Sequence, residues 1–519
     1  MDSITVHFPK PFWNFWTNPK RGFISTLKLA CALAVLGGAL TAAEPPNIIL
    51  LMGDDHGWDE TAYNGHPHLV TPVLDEMAAF GLRLDRFYSG APVCSPTRGS
   101  FLTGRHPNRY GTFTPNWSIR PEEITIGHIM KQAGYATAHF GKWHVGPVKA
   151  DSPTNPGAMG FDEWLSHDNF FDMNPIFSRN GGPPKKYEGE SSEIVIDETI
   201  RFIKEAKQKK KSFMAVVWFG SPHEPYIGLK KDLALYANLP EKYKEQTVAL
   251  TSIETGLRVT RPLNEVLQER YAEITAMDRA IGKLRDYLDD ANLRENTIVW
   301  YCGDNGVPSS ANVTNPFRGL KGNVYEGGIR VPGIIEWPAR IPEPRISDVN
   351  TVTSDILPTL CDLADQSLPG VPIDGVSLEP LLNGEMTERP EPICFWNYNT
   401  GPEENSGREP YIEPELQAGT TPLLKQMNGV YTRTFRNLKH PKIAKQDYEG
   451  PRAITSSRYK LVIDGERSGE PARELFDLRL DPYEEHDLAQ DLPAIVEILE
   501  KQLVDWQDSV LHSLTGGDY

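Results

Sequence analysis

A cysteine, a proline and an arginine stand within five positions in the stretch CSPTR, residues 94–98. Pro96 suits the first turn of a helix, because its missing N–H would have no intrahelical partner there. Cys94 would then lie at the helix N-terminus, where free backbone N–H groups and the helix dipole favour negative charge. Arg98 follows one turn later and could pair with an anion beside Cys94. The spacing indicates a nucleophile in an anion-binding cradle, although a lone cysteine is more often a buried packing residue.

Polar motifs follow four short apolar runs that are typical of buried strands. The pairs of run and motif are 47–52 with GDD (53–55), 135–140 with GKWH (141–144), 212–219 with GSPHEP (220–225), and 297–302 with GDN (303–305). In an open α/β sheet, ligands bind beyond the carboxyl ends of the strands. We therefore expect these four motifs to meet at one edge of one sheet.

Segments with helical spacing alternate with the strands. They cover residues 71–81, 124–133, 193–211, 263–291 and 353–364, and one further strand is predicted at 329–337. This alternation predicts an α/β fold with a doubly wound, mostly parallel sheet flanked by helices.

After about residue 390 the pattern changes. Residues 399–422 lack any period, 453–464 and 474–478 are strand-like, and 494–510 are helical. These features predict a small C-terminal α+β subdomain with antiparallel strands.

The stretch CSPTR resembles the Cys-x-Pro-x-Arg signature of the type I, formylglycine-dependent sulfatases of the alkaline-phosphatase superfamily. The segments YKLV (459–462), ELFDL (474–478), DP (481–482) and LA (488–489) resemble the ending of the same family. The resemblance runs from about residue 45 to 392 and continues more weakly to the end. It implies an arylsulfatase-like sulfuric ester hydrolase in which Cys94 is oxidised to 3-oxoalanine (formylglycine), whose hydrate attacks sulfur.

The resemblance also implies ten site residues, and every expected position is filled. They are Asp54, Asp55, Cys94, Arg98, Lys142, His144, His223, Asp304, Asn305 and Lys321.

Four of these residues, Asp54, Asp55, Asp304 and Asn305, supply only oxygen ligands. Three carboxylates held together repel unless a cation offsets them. All-oxygen sites suit Ca²⁺ or Mg²⁺, and the ligand count and flexibility favour Ca²⁺. The resemblance matches these residues to the family's metal ligands, with Cys94 beside them, so we expect one Ca²⁺ ion per chain.

The remaining site residues are cations and histidines. A sulfate ester gathers negative charge on its oxygens in the transition state, and Arg98, Lys142 and Lys321 are the predicted cations that meet it. Histidine titrates near neutral pH and suits proton transfer. The resemblance implies that His144 contacts the formylglycine hydrate and that His223 protonates the departing alcohol.

Two regions differ from a minimal sulfatase, residues 162–175 and 396–453. They carry candidate substrate-binding residues of the outer pocket, and the alternative is that these are surface decoration. The candidates are His167, Asp168, Asn169 and Arg433.

Composition and the first residues bear on location and partners. The net charge of −17 argues against nucleic acid as a partner and requires a local basic site for an anionic substrate. Residues 1–43 predict a secretory signal peptide, whose apolar run is shorter than the roughly 20 residues of a membrane span. We therefore expect an exported protein, periplasmic or secreted, with no stable membrane span.

We predict a signal peptide (1–43), a sulfatase catalytic domain (44–392) and a C-terminal subdomain (393–519). The expected partners are a sulfated small molecule or glycan as substrate and a formylglycine-generating or sulfatase-maturating enzyme during biogenesis. One alternative is a phosphate or phosphonate monoesterase of the same superfamily, although a zinc phosphatase would need more His and Asp ligands than these strand ends supply. The other alternative is a sulfoglycan-binding protein without activity.

Overall fold

The computed structural model describes residues 44–169, 173–252, 255, 257–401, 407–422, 432–465 and 472–519. The predicted signal peptide, residues 1–43, lies outside these ranges. Within them, no helix combines the length and the apolar character needed to cross a membrane.

The described residues form nineteen strands and eleven α-helices. The strands are β1 (Asn47–Gly53), β2 (Leu82–Leu84), β3 (Phe87–Tyr88), β4 (Ala136–Lys142), β5 (Glu163–His167), β6 (Ile176–Arg179), β7 (Lys185–Lys186), β8 (Phe213–Trp218), β9 (Thr247–Thr251), β10 (Arg258–Pro262), β11 (Thr297–Gly303), β12 (Arg330–Val331), β13 (Gly333–Glu336), β14 (Arg345–Ser347), β15 (Thr351–Val352), β16 (Ile393–Trp396), β17 (Arg452–Thr455), β18 (Tyr459–Ile463) and β19 (Arg473–Asp477). The helices are α1 (Pro72–Phe80), α2 (Cys94–Thr103), α3 (Ile126–Gln132), α4 (Ser191–Gln208), α5 (Lys230–Leu233), α6 (Leu263–Asp290), α7 (Glu326–Ile329), α8 (Ile356–Leu363), α9 (Glu379–Leu382), α10 (Pro414–Gln417) and α11 (Pro493–Leu514).

The centre of the main sheet consists of β11, β1, β8 and β4, side by side and all parallel. Gly53 at the end of β1 pairs with Gly303 at the end of β11, so the two strands end level with each other. Next to β4 lies parallel β5, while β13, β2, β6 and β7 extend the sheet with antiparallel pairs. The predicted doubly wound, mostly parallel sheet is confirmed.

Both faces of this sheet are buried, which explains the continuous apolar runs. Along β1, Leu50 and Met52 belong to one core, and Ile49 and Leu51 belong to the other. Helices α2, α3 and α8 supply side chains to the first core, and α1, α4 and α6 supply side chains to the second. Alternation between two apolar layers is the pattern expected of a parallel strand covered on both sides.

The predicted strand at 329–337 differs in the structure. Its first residue ends α7, β12 then pairs with β3 in a separate three-stranded sheet, and β13 joins the main sheet antiparallel to β11. Pro332 separates the two strands, and proline has no N–H for a ladder hydrogen bond. The apolar run therefore serves two sheets instead of one.

The C-terminal part forms a four-stranded antiparallel sheet in the order β16, β17, β18 and β19, and its packing partners include α11. The opposite side of this sheet packs on Tyr88 and Ile329 of the preceding region. This confirms the predicted antiparallel C-terminal element. Residues Pro45–Tyr519 form one compact unit, and the boundary between residues 392 and 393 stays a prediction.

His139 offers a test of the buried core through pH. It is fully buried on β4, and its Nδ1 lies 2.8 Å from Ser166 Oγ. Burial, and then the charge of Arg98, hold the pKa of His139 well below its ordinary value. As the pH falls through about 6.5, the unfolded chain takes up this proton before the folded chain does, so His139 lowers the free energy of unfolding there.

We therefore expect the difference in the free energy of unfolding between wild type and His139→Gln to become smaller as the pH falls from 7 to 5. The narrowing should approach about 1.4 kcal/mol per pH unit. Urea unfolding at half-unit pH steps measures it, and a gap that stays constant with pH would contradict the buried neutral imidazole.

Candidate active site

Four loops meet at the carboxyl edge of the four central strands. Asp54 and Asp55 follow β1, Lys142 ends β4 and leads to His144, His223 follows β8, and Asp304 and Asn305 follow β11. Because these strands are parallel neighbours, their ends deliver the side chains to one place. The structure thus brings together the polar motifs that the sequence placed at four separate strand ends.

Cys94 is the first residue of α2 and is buried. Its Sγ lies 3.8 Å from Asp55 Oδ1. Burial raises the pKa of the Cys94 thiol well above its ordinary value, and the nearby cations Lys142 and Lys321 only partly offset this. An unmodified Cys94 is therefore a protonated thiol, which is a poor nucleophile.

Each predicted cation contacts a predicted metal-binding carboxylate. The Lys142 ammonium donates to Asp54 Oδ2 at 2.6 Å, and the Arg98 guanidinium donates to Asp304 Oδ2 at 2.8 Å. The Lys321 ammonium donates to Asp55 Oδ1 at 2.5 Å. Arg98 is further held by its contact with the Trp218 ring, 5.0 Å from its centroid. Carboxylates and cations therefore form one buried, alternating cluster around Cys94.

This cluster leaves oxygen atoms that lack a hydrogen-bond donor. Asp54 Oδ1 and Asn305 Oδ1 are buried and accept no hydrogen bond, while Asn305 Nδ2 donates to Asp55 Oδ1 at 2.9 Å. Burial, and then repulsion from Asp54, raise the pKa of Asp304 to about 6, although Arg98 opposes the rise. Buried oxygens that accept no hydrogen bond, next to carboxylates that repel one another, are the ligands that suit a hard cation such as Ca²⁺. The residues present therefore fit a divalent metal ion.

His223 sits at the edge of the cluster. Its Nδ1 lies 2.6 Å from the Glu224 carbonyl oxygen, so Nδ1 carries a proton, and its Nε2 lies 3.7 Å from Asp55 Oδ2. Burial lowers the pKa of His223 to about 3 against the opposing charge of Asp55, and Lys142 and Lys321 lower it further. Nε2 is the ring atom that can exchange a proton with a group bound over Cys94.

His144 approaches from the opposite loop. Its Nε2 lies 3.3 Å from Asn116 Oδ1, and its buried Nδ1 has no hydrogen-bond partner. Its backbone φ is +60°, a strained conformation for a non-glycine residue. Burial and the neighbouring charges of Lys142 and Arg98 hold the pKa of His144 well below its ordinary value. The ring is a neutral donor or acceptor at the site.

Residues 46–366 match the family model described as Sulfatase. The chain belongs to the sulfatase family. It is 31% identical over 410 residues to N-acetylgalactosamine-6-sulfatase of Canis lupus familiaris, covering 70% of this chain and 71% of that protein. It is 32% identical over 355 residues to ulvan-active sulfatase of Formosa agariphila, covering 67% of this chain and 66% of that protein.

A solved structure agrees with this assignment at the level of the fold. The crystal structure of Ps i-CgsB in complex with k-i-k-neocarrahexaose superimposes with a TM-score of 0.70 and 21% identity, covering 90% of this chain and 93% of that chain. As a member of its family, this sulfatase is a sulfuric ester hydrolase of the alkaline-phosphatase superfamily.

The candidate substrate-binding residues of this sulfatase are placed differently from one another. Asn169 Nδ2 donates to Asn116 Oδ1 at 3.3 Å, next to His144, and the charge of Arg433 also acts on His144. Asp168 instead accepts three backbone N–H groups, from residues 148, 420 and 421. His167 Nε2 lies 3.2 Å from the carbonyl oxygen of residue 422. Asn169 and Arg433 thus lie near His144, Asp168 and His167 hold the backbone of residues 420–422, and substrate binding by all four stays a prediction.

Asn116 and Arg270 are two residues that the sequence analysis missed. Asn116 has a φ of +68° and joins His144 to Asn169 through one side-chain oxygen. The only signal for it was an asparagine after a proline, which is common in turns. Arg270 lies in the first third of α6, and an arginine in a long amphipathic helix usually faces solvent.

The sulfatase also contains a cavity of about 500 Å³ that is separate from this cluster, with Arg109, Asp374 and Trp506 in its lining. Two of its charged groups pair with each other, since Arg109 donates twice to Asp374 at 2.7 Å, and the Trp506 ring nitrogen donates to the same carboxylate at 2.8 Å. None of the ten site residues lines it. The cavity is therefore distinct from the candidate active site.

Proposed function

We propose that this sulfatase cleaves the S–O bond of a sulfate monoester on a sulfated carbohydrate, with Cys94 converted to formylglycine and one Ca²⁺ ion bound. The observation that carries the proposal is the cluster around Cys94, in which three carboxylates, three cations and two histidines converge from separate parts of the chain. A buried cation cluster opposed by carboxylates suits an anionic substrate with a metal ion beneath it.

Asp54, Asp55, Asp304 and Asn305 would hold the ion, with the position-94 side chain beside it. Two buried oxygens that accept no hydrogen bond, Asp54 Oδ1 and Asn305 Oδ1, would bind it. Bound there, Ca²⁺ would offset the repulsion among the carboxylates and polarise a sulfate oxygen.

Position 94 needs the modification for a chemical reason. The buried thiol of Cys94 stays protonated, and an S–S bond to sulfate sulfur would be hard to reverse. A hydrated aldehyde supplies one hydroxyl to attack sulfur and a second whose loss of a proton expels sulfate. Cys94 lies at the start of α2, where free backbone N–H groups would favour the negative charge that develops.

Arg98, Lys142 and Lys321 would bind the sulfate oxygens. An ammonium group has three N–H donors, and each of the two lysines uses one in the contact with its aspartate. The remaining donors of each lysine would serve the substrate. These cations also make the local site attractive to an anion in a chain whose net charge is −17.

His223 would give a proton to the departing alcohol through Nε2, since Nδ1 is committed to the Glu224 carbonyl. The pKa of His223 is lowered to about 3 by burial and by Lys142 and Lys321. A bound sulfate ester adds negative charge beside the ring and therefore raises that pKa toward the working range. His144, held by Asn116, would contact the nucleophile from the other side.

The carbohydrate substrate is supported by the relatives, which are named for N-acetylgalactosamine-6-sulfate and ulvan. The proposal extends to export to the periplasm or outside the cell, and to maturation by a formylglycine-generating or sulfatase-maturating enzyme. His167, Asp168, Asn169 and Arg433 would contribute to the outer pocket that receives the sugar.

The test is an assay of the chain co-expressed with a formylglycine-generating enzyme. We expect kcat/KM for 4-nitrophenyl sulfate to exceed that for 4-nitrophenyl phosphate and a matched phosphonate by at least about tenfold. Sulfate release from sulfated oligosaccharides, read by ion chromatography, should accompany it. Preference for phosphate or phosphonate would favour the monoesterase alternative, and binding of sulfated glycans without release would favour the binding protein.

A further inference from the structure

Arg270 forms hydrogen bonds with the backbone of two active-site loops. It lies in the first third of α6 and is fully buried. Its Nη2 donates to the backbone carbonyl of Asp55 at 2.6 Å, and its Nη1 donates to the backbone carbonyl of Pro222. Asp55 is a proposed metal ligand, and Pro222 immediately precedes His223. One guanidinium thus contacts both loops without touching the reacting groups.

The guanidinium is itself held in a fixed orientation. Its Nε and Nη2 donate to the two carboxylate oxygens of Glu60, each at 2.6 Å, and its Nη1 also donates to Tyr226 Oη at 3.2 Å. Glu60 in turn accepts the Gly57 N–H at 3.0 Å. A planar guanidinium that forms hydrogen bonds on several sides has little freedom to rotate. It therefore fixes the positions of the groups it contacts more precisely than a lysine ammonium could.

Two more contacts hold these loops, one joining them to each other and one joining the His223 loop to α6. The Asp54 N–H donates to the Ser221 carbonyl at 3.0 Å, directly across the two loops. One turn after Arg270, Glu273 accepts the Ile227 N–H at 2.6 Å and so fixes the far end of the His223 loop. Asp55 has a φ of +60°, a conformation that needs support from its surroundings.

We propose that Arg270 is a positioning residue that sets His223 relative to the Asp55 side of the site, so that the proton donor for the leaving group is aligned with the bond that breaks. The inference rests on the proposed role of His223. It assigns Arg270 a specific effect: its loss should damage leaving-group protonation more than sulfate binding.

The choice of substrate separates positioning from folding. An aryl sulfate with a good leaving group, 4-nitrophenyl sulfate, needs little help from a proton donor, whereas an alkyl or sugar sulfate depends on it. For Arg270→Lys we expect kcat on a sugar sulfate to fall by at least about tenfold more than kcat on 4-nitrophenyl sulfate, with KM changed less than about threefold.

Arg285→Lys is the matched control. Arg285 lies on the same helix and forms a similar bidentate pair with Glu336 on β13, through contacts of 3.0 and 2.9 Å. It contacts none of the four site loops in the described residues. We expect Arg285→Lys to lower thermal stability comparably while leaving the ratio of the two kcat values as in wild type.

A second variant keeps the test decisive. If Arg270→Lys does not fold, Glu60→Gln, which loosens the Arg270 guanidinium but retains its shape, should shift the same ratio in the same direction. An equal loss on both substrates in the folded variant overturns the positioning role. A wild-type protein, matured at Cys94, that releases no sulfate from either substrate would instead contradict the proposed function.

Discussion

Replacing Cys94 with alanine is expected to lower sulfate release by at least about 10³-fold in a protein that remains folded. The side chain lies at the start of α2, 3.8 Å from Asp55, and alanine has no group there that can bond to sulfur. Because Cys94 is buried, the small cavity should lower the free energy of unfolding by about 1 kcal/mol. Initial rates on 4-nitrophenyl sulfate and urea unfolding curves from the same preparation measure both effects.

Cys361→Ala is the control for this variant. Cys361 is also a buried free cysteine, on α8 and outside the cluster, so its loss should cost similar stability and leave the rate unchanged. Mass spectrometry of the peptide over residue 94 should show the wild-type side chain converted from CH₂SH to CHO. A wild-type rate in Cys94→Ala would exclude a nucleophile derived from this residue.

The central sheet could be predicted from the sequence because its strands are covered on both faces. Such a strand is a continuous apolar run, and in β1 and β11 the run ends at a glycine followed by polar residues. Each of these signals is local, so the chain order of strands and motifs could be read directly. Their meeting at one edge then followed from parallel pairing alone.

The edges of the sheet could not be predicted in the same way. The stretch at 329–337 reads as one apolar strand, but its two halves pair with β3 and β11 in different sheets. The choice between these pairings depends on residues distant in sequence, and β3 is only two residues long. Short strands carry too few side chains for a period to be recognised.

The active-site residues also divide into those that local sequence signals indicate and those that they do not. The residues carried by short motifs, such as Cys94 and Asp304, were placed by their motifs and by the family resemblance. Asn116 and Arg270 belong to no motif, and they matter only because the folded chain brings Asn116 to His144 and Arg270 to Asp55. Contacts of this kind arise from tertiary packing, so no spacing in the sequence reports them.

Asp304 provides the second large prediction, because the proposed Ca²⁺ ion would change what its carboxylate contributes. Burial and the charge of Asp54 raise the pKa of Asp304 to about 6, above the value of about 3.8 expected in the unfolded chain. In the metal-free protein, the stability contributed by its bound proton is present below about pH 4 and is lost as the pH rises through 6. At pH 8 a neutral amide at this position should therefore cost little stability in the absence of a cation.

We expect Asp304→Asn to lose most of its Ca²⁺ affinity, by at least about 100-fold, and sulfate release together with it. The amide oxygen can still accept the Asp55 N–H, which donates to Asp304 at 2.8 Å in the wild type, so the loop geometry should persist. With Ca²⁺ at 100 times the wild-type Kd, the wild type should gain about 2.7 kcal/mol of unfolding free energy, and the variant should gain no more than about 0.4 kcal/mol. Urea unfolding at pH 8 with EDTA or Ca²⁺, alongside isothermal titration calorimetry, measures this. Unchanged calcium binding in Asp304→Asn would show that the metal ligands have been assigned wrongly, because removing a full ligand charge from a buried all-oxygen site must weaken its hold on a divalent ion.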